Sequence, residues 1–115
     1  MIATDEANKG TTTGAELGGA AAIISAPPAQ QPSYQINVPV LSVVGEADAL
    51  FCTGVTEYNC ASTKSVQSFE SQYYAPGAHL RVVVIPDTGH DLALSTTAPL
   101  TDAAMIGWSL STVAP

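Results

Sequence analysis

Val38-Pro39-Val40-Leu41-Ser42-Val43-Val44-Gly45-Glu46-Ala47-Asp48 and Leu80-Arg81-Val82-Val83-Val84-Ile85-Pro86-Asp87-Thr88-Gly89-His90-Asp91 decide the fold of this chain. Each opens as an apolar, β-branched run and closes in a glycine-bearing turn that ends on an ionisable side chain. The apolar residues follow one another almost without alternation. That pattern predicts parallel strands covered on both faces rather than half-solvated antiparallel ones.

Working outward, Val66, Phe69, Tyr73 and Tyr74 share one face of a helix expected over 63–74. Ser62 or Thr63 can cap its start, and Ala75-Pro76-Gly77 stops it. Strand, helix and strand in this length make a βαβ unit with a right-handed crossover. A last helix is expected from Pro99 to Asp102 onward, with Ala103, Ile106, Leu110 and Val113 as its apolar stripe and Trp108 off that stripe. The expected fold class is therefore α/β: two parallel strands, a crossover helix and a C-terminal helix. Two strands alone leave a row of backbone groups unpaired, so the unit reads as part of a larger sheet.

Residues 1–35 differ in character and read as a flexible, cap-like linker ahead of an organised unit over 36–115. They hold Thr11-Thr12-Thr13-Gly14, an alanine run, and Pro27-Pro28-Ala29-Gln30-Gln31-Pro32. A short helix over 15–24 would be weakened by Gly14, Gly18 and Gly19. The proline and glutamine stretch is expected to be extended.

Of the 115 residues, 46% are apolar and only 11% are charged, against the roughly 25% usual for soluble domains. A surface with so few charges suits a chain whose neighbours cover part of it. The formal charge is −7, with Lys9, Lys64 and Arg81 as the only lysines and arginines. Three scattered cations cannot build a nucleic-acid footprint, and they disfavour an anionic membrane surface. No apolar stretch approaches the roughly 20 residues of a membrane span. The alanine-rich segment from Gly18 to Ala26 lacks the positive flank of a secretory signal, so no leader is expected.

Seven residues separate Cys52 from Cys60. A bridge between them would contribute about 2.5 kcal/mol by loop-closure entropy and would imply an oxidising, extracellular compartment. Two reduced thiols are the other reading, and the compartment stays open. Two cysteines cannot form a structural zinc site by themselves. No cofactor is expected.

Loops that follow neighbouring parallel strands emerge at the same sheet edge, where strands lie about 4.8 Å apart. Asp48 and His90 are thereby expected within hydrogen-bond reach. An acid that accepts a proton from one imidazole nitrogen fixes the tautomer and orients the ring as a general base. The plainer readings are a turn-capping carboxylate for Asp48 and a backbone-bonded loop residue for His90. Nothing in the spacing fixes Asp48, Asp87, His90 and Asp91 around a divalent cation. Glu46 is expected to be solvated, and His79 exposed.

With these residues in place, 36–113 resembles the C-terminal third of an α/β-hydrolase. In that family Val-Pro-Val-Leu-x-Val-Val-Gly-x-x-Asp carries the triad acid and a later Gly-His-Asp carries the triad histidine, in that order. The resemblance implies Asp48 as acid, His90 as base and 101–113 as the closing helix. It also implies a disulfide, since Asp48-Ala49-Leu50-Phe51-Cys52 with Cys60 is similar to a subgroup bridged in this loop.

One departure is decisive. The sequence holds no Gly-x-Ser-x-Gly, and the nearest string, Gly107-Trp108-Ser109-Leu110-Ser111, lacks the second glycine. An oxyanion-hole segment is missing too. The expectation is a hydrolase piece that is inactive alone, whose intact enzyme would cleave a small-molecule ester or related acyl bond. The alternative is a noncatalytic interaction module that uses an exposed strand edge, through which the chain could also self-associate.

Overall fold

A computed structural model describes residues 25–49, 51–52 and 59–113. Strand β1 (Leu41–Gly45) pairs in parallel with strand β2 (Arg81–Ile85), in register from Leu41 opposite Arg81 to Gly45 opposite Ile85. Helix α1 (Thr63–Glu70) lies between them in sequence, and helix α2 (Ala98–Thr112) follows. The chain is thus a small α/β unit with one two-stranded parallel sheet among the described residues. Beyond the strands themselves, Val40 donates to the Ala78 carbonyl at 2.9 Å and accepts from the Arg81 amide at 2.9 Å.

Ser62 caps α1 by accepting the Ser65 amide at 3.3 Å. The helix is shorter than the expected 63–74. It gives way to a 3-10 turn at Ser71–Tyr73, and Tyr74 is extended. Two local effects shorten it. The Ser71 hydroxyl bonds back to the Ser68 carbonyl at 3.1 Å, and Pro76 forces Ala75 out of the helical region.

Val66, fully buried, sits with Cys60 and Val82 at the centre of the core, and Val44, Cys52, Phe69, Leu80 and Val84 pack around them. Burying a valine of this kind contributes about 1.5–3 kcal/mol. Gln67 ties α1 to the outer edge of β2. Its amide donates to the Leu80 carbonyl at 2.9 Å and its carbonyl accepts the Val82 amide at 2.8 Å. Part of that edge is therefore closed by a side chain, a common protection against strand addition.

Helix α2 packs across both strands, but not through the expected stripe. Ile106, Leu110 and Val113 are 60%, 69% and 61% exposed. The inward face carries buried Thr101 with half-buried Ala104 and Trp108. At about 100° per residue, these lie opposite the predicted stripe. The helix is apolar nearly all round, so periodicity alone could not choose a face. The large Trp108 ring buries more area than any aliphatic residue on the other side.

Residues 28–35 also differ from expectation. They form 3-10 turns at Pro28–Gln30 and Pro32–Gln35 in place of an extended stretch, each opened by a proline whose φ is already helical. Gln31 is buried and donates to the Ala26 carbonyl at 2.9 Å, while Ser33 donates to the Tyr73 carbonyl at 2.8 Å. The helix expected over 15–24 falls outside the described residues.

Candidate functional site

Both strands end at the same rim, and the loops that leave them are joined backbone to backbone. Glu46 donates to the Ile85 carbonyl and Ala47 to the Thr88 carbonyl, each at 2.9 Å. The Glu46 carboxylate then accepts the Asp87 amide at 3.1 Å. Asp87 takes a left-handed conformation, φ 52°. Thr88 is fully buried and bonds through its hydroxyl to the Pro86 carbonyl at 2.8 Å and to Thr97. This lattice fixes where His90 leaves the second loop.

The first loop fixes Asp48. Its amide donates to the Gly45 carbonyl at 3.2 Å, and its own carbonyl accepts the Cys52 amide at 3.0 Å. One carboxylate oxygen accepts the Phe51 amide at 3.1 Å, while the other faces His90 Nδ1 at 2.9 Å. Asp48 thus fills both roles read from the sequence, capping the turn and meeting the imidazole. A carboxylate can only accept, so Nδ1 carries the hydrogen of this bond.

Exposure divides the pair. The Asp48 side chain is 5% exposed and that of His90 51%. The acid lies under cover while half of the imidazole side chain reaches solvent. The Phe51 ring packs on the imidazole with centroids 5.2 Å apart and planes tilted by 40°. Cys52, next in sequence, meets Cys60 at disulfide distance with Cα atoms 5.4 Å apart. Because Cys60 belongs to the core, the turn that aims Asp48 and Phe51 is anchored to the packed interior.

A cleft of about 260 Å³ opens beside the pair, lined by Val43, Val44, Gly45, Asp48, Phe51, Glu70, His90 and Leu92. Glu70 is the residue sequence reasoning missed. Burial raises its pKa above the usual carboxylate range, and a hydrogen bond with Ser42 partly opposes the shift. Tyr74 is raised as well, first by burial and then by the Glu70 charge. A signal for Glu70 was present, since it stands one helical turn after Val66, on the buried face. Phe51 and Glu46 had no such signal, because their contacts cross between loops.

Asp91 precedes the 3-10 turn Leu92–Leu94 without capping it through its side chain, and His79 is exposed with φ 41°. Ser109 lies inside α2. Among the described residues, no group of three or more His, Cys, Asp and Glu side chains is arranged to hold a metal ion, and no hydroxyl is hydrogen-bonded to His90. Nor, among them, is any helix long and apolar enough to cross a membrane.

No protein family, curated protein or solved structure matches this chain.

Proposed function

We propose that residues 36–113 are the acid–base portion of an α/β-hydrolase that cleaves a small-molecule ester or related acyl bond. One observation carries this reading: a covered carboxylate hydrogen-bonded at 2.9 Å to Nδ1 of an imidazole that is half exposed beside a cleft. In such a centre Asp48 holds the ring in the Nδ1–H tautomer and stabilises positive charge on it. Nε2 of His90 then takes a proton from a nucleophile and returns it to the leaving group.

The hydroxyl to be activated and the donors for the developing oxyanion come from outside residues 1–115, since the sequence has no nucleophile motif for them. The outer edge of β1 is the natural seam for that remaining sheet, because Gln67 already occupies part of the outer edge of β2. The same edge supports the second reading, an interaction module that binds a strand of a partner. A discrete complex or dimer on size-exclusion chromatography favours that reading.

The test is p-nitrophenyl acetate hydrolysis by the purified chain, alongside the coding sequence upstream of Met1. The expected result is no burst and no His90-dependent turnover by the chain alone, with an in-frame Gly-x-Ser-x-Gly upstream. Turnover that disappears in His90→Ala, or an upstream sequence without that motif, would overturn the proposal.

A further inference from the structure

We propose that the cleft beside His90 is a site for a small organic cation, a primary ammonium group on an apolar body, with Glu70 as the residue that selects it. The inference rests on the hydrolase reading only in naming a substrate class. The binding it describes stands on the cleft alone.

Three observations carry it. The cleft is lined by a carboxylate, Glu70, together with an apolar wall of Val43, Val44, Phe51 and Leu92. No lysine or arginine among the described residues forms an ion pair with Glu70, whose hydrogen-bonding neighbour is the neutral Ser42 hydroxyl. The chain carries −7 overall, so its field draws cations and repels anions. A half-buried carboxylate has lost hydration that an ammonium ligand can replace. At about 260 Å³ the cleft falls just below the range of about 300–1,000 Å³ for drug-sized ligands, which limits it to a small molecule.

Asp48 lines the same cleft but is only 5% exposed, with one oxygen accepting the Phe51 amide and the other facing His90 Nδ1, so the more accessible Glu70 is assigned the cation. The division of labour follows. Asp48 serves the imidazole, the apolar wall takes the body of the ligand, and Glu70 takes its charge. Within the hydrolase reading, this places an amine-bearing acyl or alcohol group next to Nε2 of His90.

Titration of the purified chain with benzylammonium and, separately, with benzyl alcohol tests the proposal. The readout is the NMR shifts of Phe51, Leu92 and the Glu70 carboxyl carbon near neutral pH and at low salt. Benzylammonium is expected to give saturable shifts at all three positions. Its dissociation constant should be at least about threefold tighter than that of the alcohol, and salt should weaken the difference. Glu70→Gln, which keeps size and hydrogen bonding, should bring the two ligands level. Equal binding of both ligands by the wild-type chain, or no saturable shift with benzylammonium, would overturn the proposal without any variant having to fold. The upstream motif and the hydrolysis assay stand or fall separately, so failure here leaves the reading of the Asp48–His90 pair intact.

Discussion

Gly45 lies so close beneath the backbone carbonyls of Thr88 and Gly89 that a β-carbon at this position would overlap both oxygens. The contact draws the loop after β1 onto the loop after β2, and so brings Asp48 to His90. Because the colliding atoms are backbone, no side-chain rotation can relieve them. Gly45→Ala is therefore expected to cost about 3 kcal/mol, the upper end of the usual overpacking penalty. Urea unfolding measures the loss, and a midpoint equal to that of the wild type would contradict the close approach.

The acid–imidazole bond makes its own prediction. A neutral histidine in water favours the hydrogen on Nε2, whereas Asp48 holds it on Nδ1 through the 2.9 Å bond. In Asp48→Asn the amide can present its nitrogen to the ring, and the preference for Nδ1–H should be lost. Nitrogen-15 shifts of the neutral ring report the tautomer directly. Unchanged shifts in the asparagine variant would mean that Asp48 does not set it.

How far these features were legible differs from element to element. The two strands and their parallel pairing followed from uninterrupted β-branched runs, because burial on both faces leaves little else for such residues to do. The meeting of Asp48 and His90 followed from the topology, since loops after parallel neighbours share a rim. Local chemistry is readable in this way. Helix α2 was not, because an all-round apolar helix carries no periodic signal, and the choice of face fell to Trp108. The link between Glu46 and Asp87 and the packing of Phe51 on His90 arise from loop pairing, which leaves no trace in spacing.

Helix α2 allows a test that contrasts its two faces. Ile106 and Leu110 stand mostly in solvent, so Ile106→Glu and Leu110→Glu should each change stability by no more than about 0.5 kcal/mol. Thr101 faces inward, and its buried hydroxyl has no hydrogen-bond partner among the described residues. Thr101→Val keeps the shape and removes that unsatisfied group, for an expected gain of about 1 kcal/mol. Had the predicted stripe been the packed one, the glutamate variants would each lose several kcal/mol. Chemical denaturation of the three variants distinguishes the two orientations.

The bridge between Cys52 and Cys60 closes a short loop and joins the Asp48 turn to the core. Thiol titration of the unfolded, unreduced chain should find no free cysteine. The Cys52→Ala/Cys60→Ala double variant should lose about 2.5 kcal/mol, as loop-closure entropy requires. A loss below about 0.5 kcal/mol, together with titratable thiols, would show that the sulfurs are not joined.

Glu70 gives the pH dependence. Burial raises its folded-state pKa, so the folded chain holds this proton more tightly than the unfolded chain does. The resulting stabilisation is complete below the ordinary glutamate value and is lost as pH rises through the raised folded one. Near neutral pH the ionised carboxylate therefore weighs against folding, and glutamine at this position does not. Glu70→Gln should then raise the urea midpoint near pH 7 and make no difference near pH 3. Solvent still reaches part of the group, so the gain is on the order of 0.5 kcal/mol. Asp48 and His90, which line the same cleft, are the same in both proteins. Tyr74, raised by burial and by Glu70 itself, stays neutral throughout this range. A gain that persists unchanged near pH 3, or a loss near pH 7, would show that Glu70 is not a partly desolvated carboxylate, and the selectivity assigned to it would fail with it.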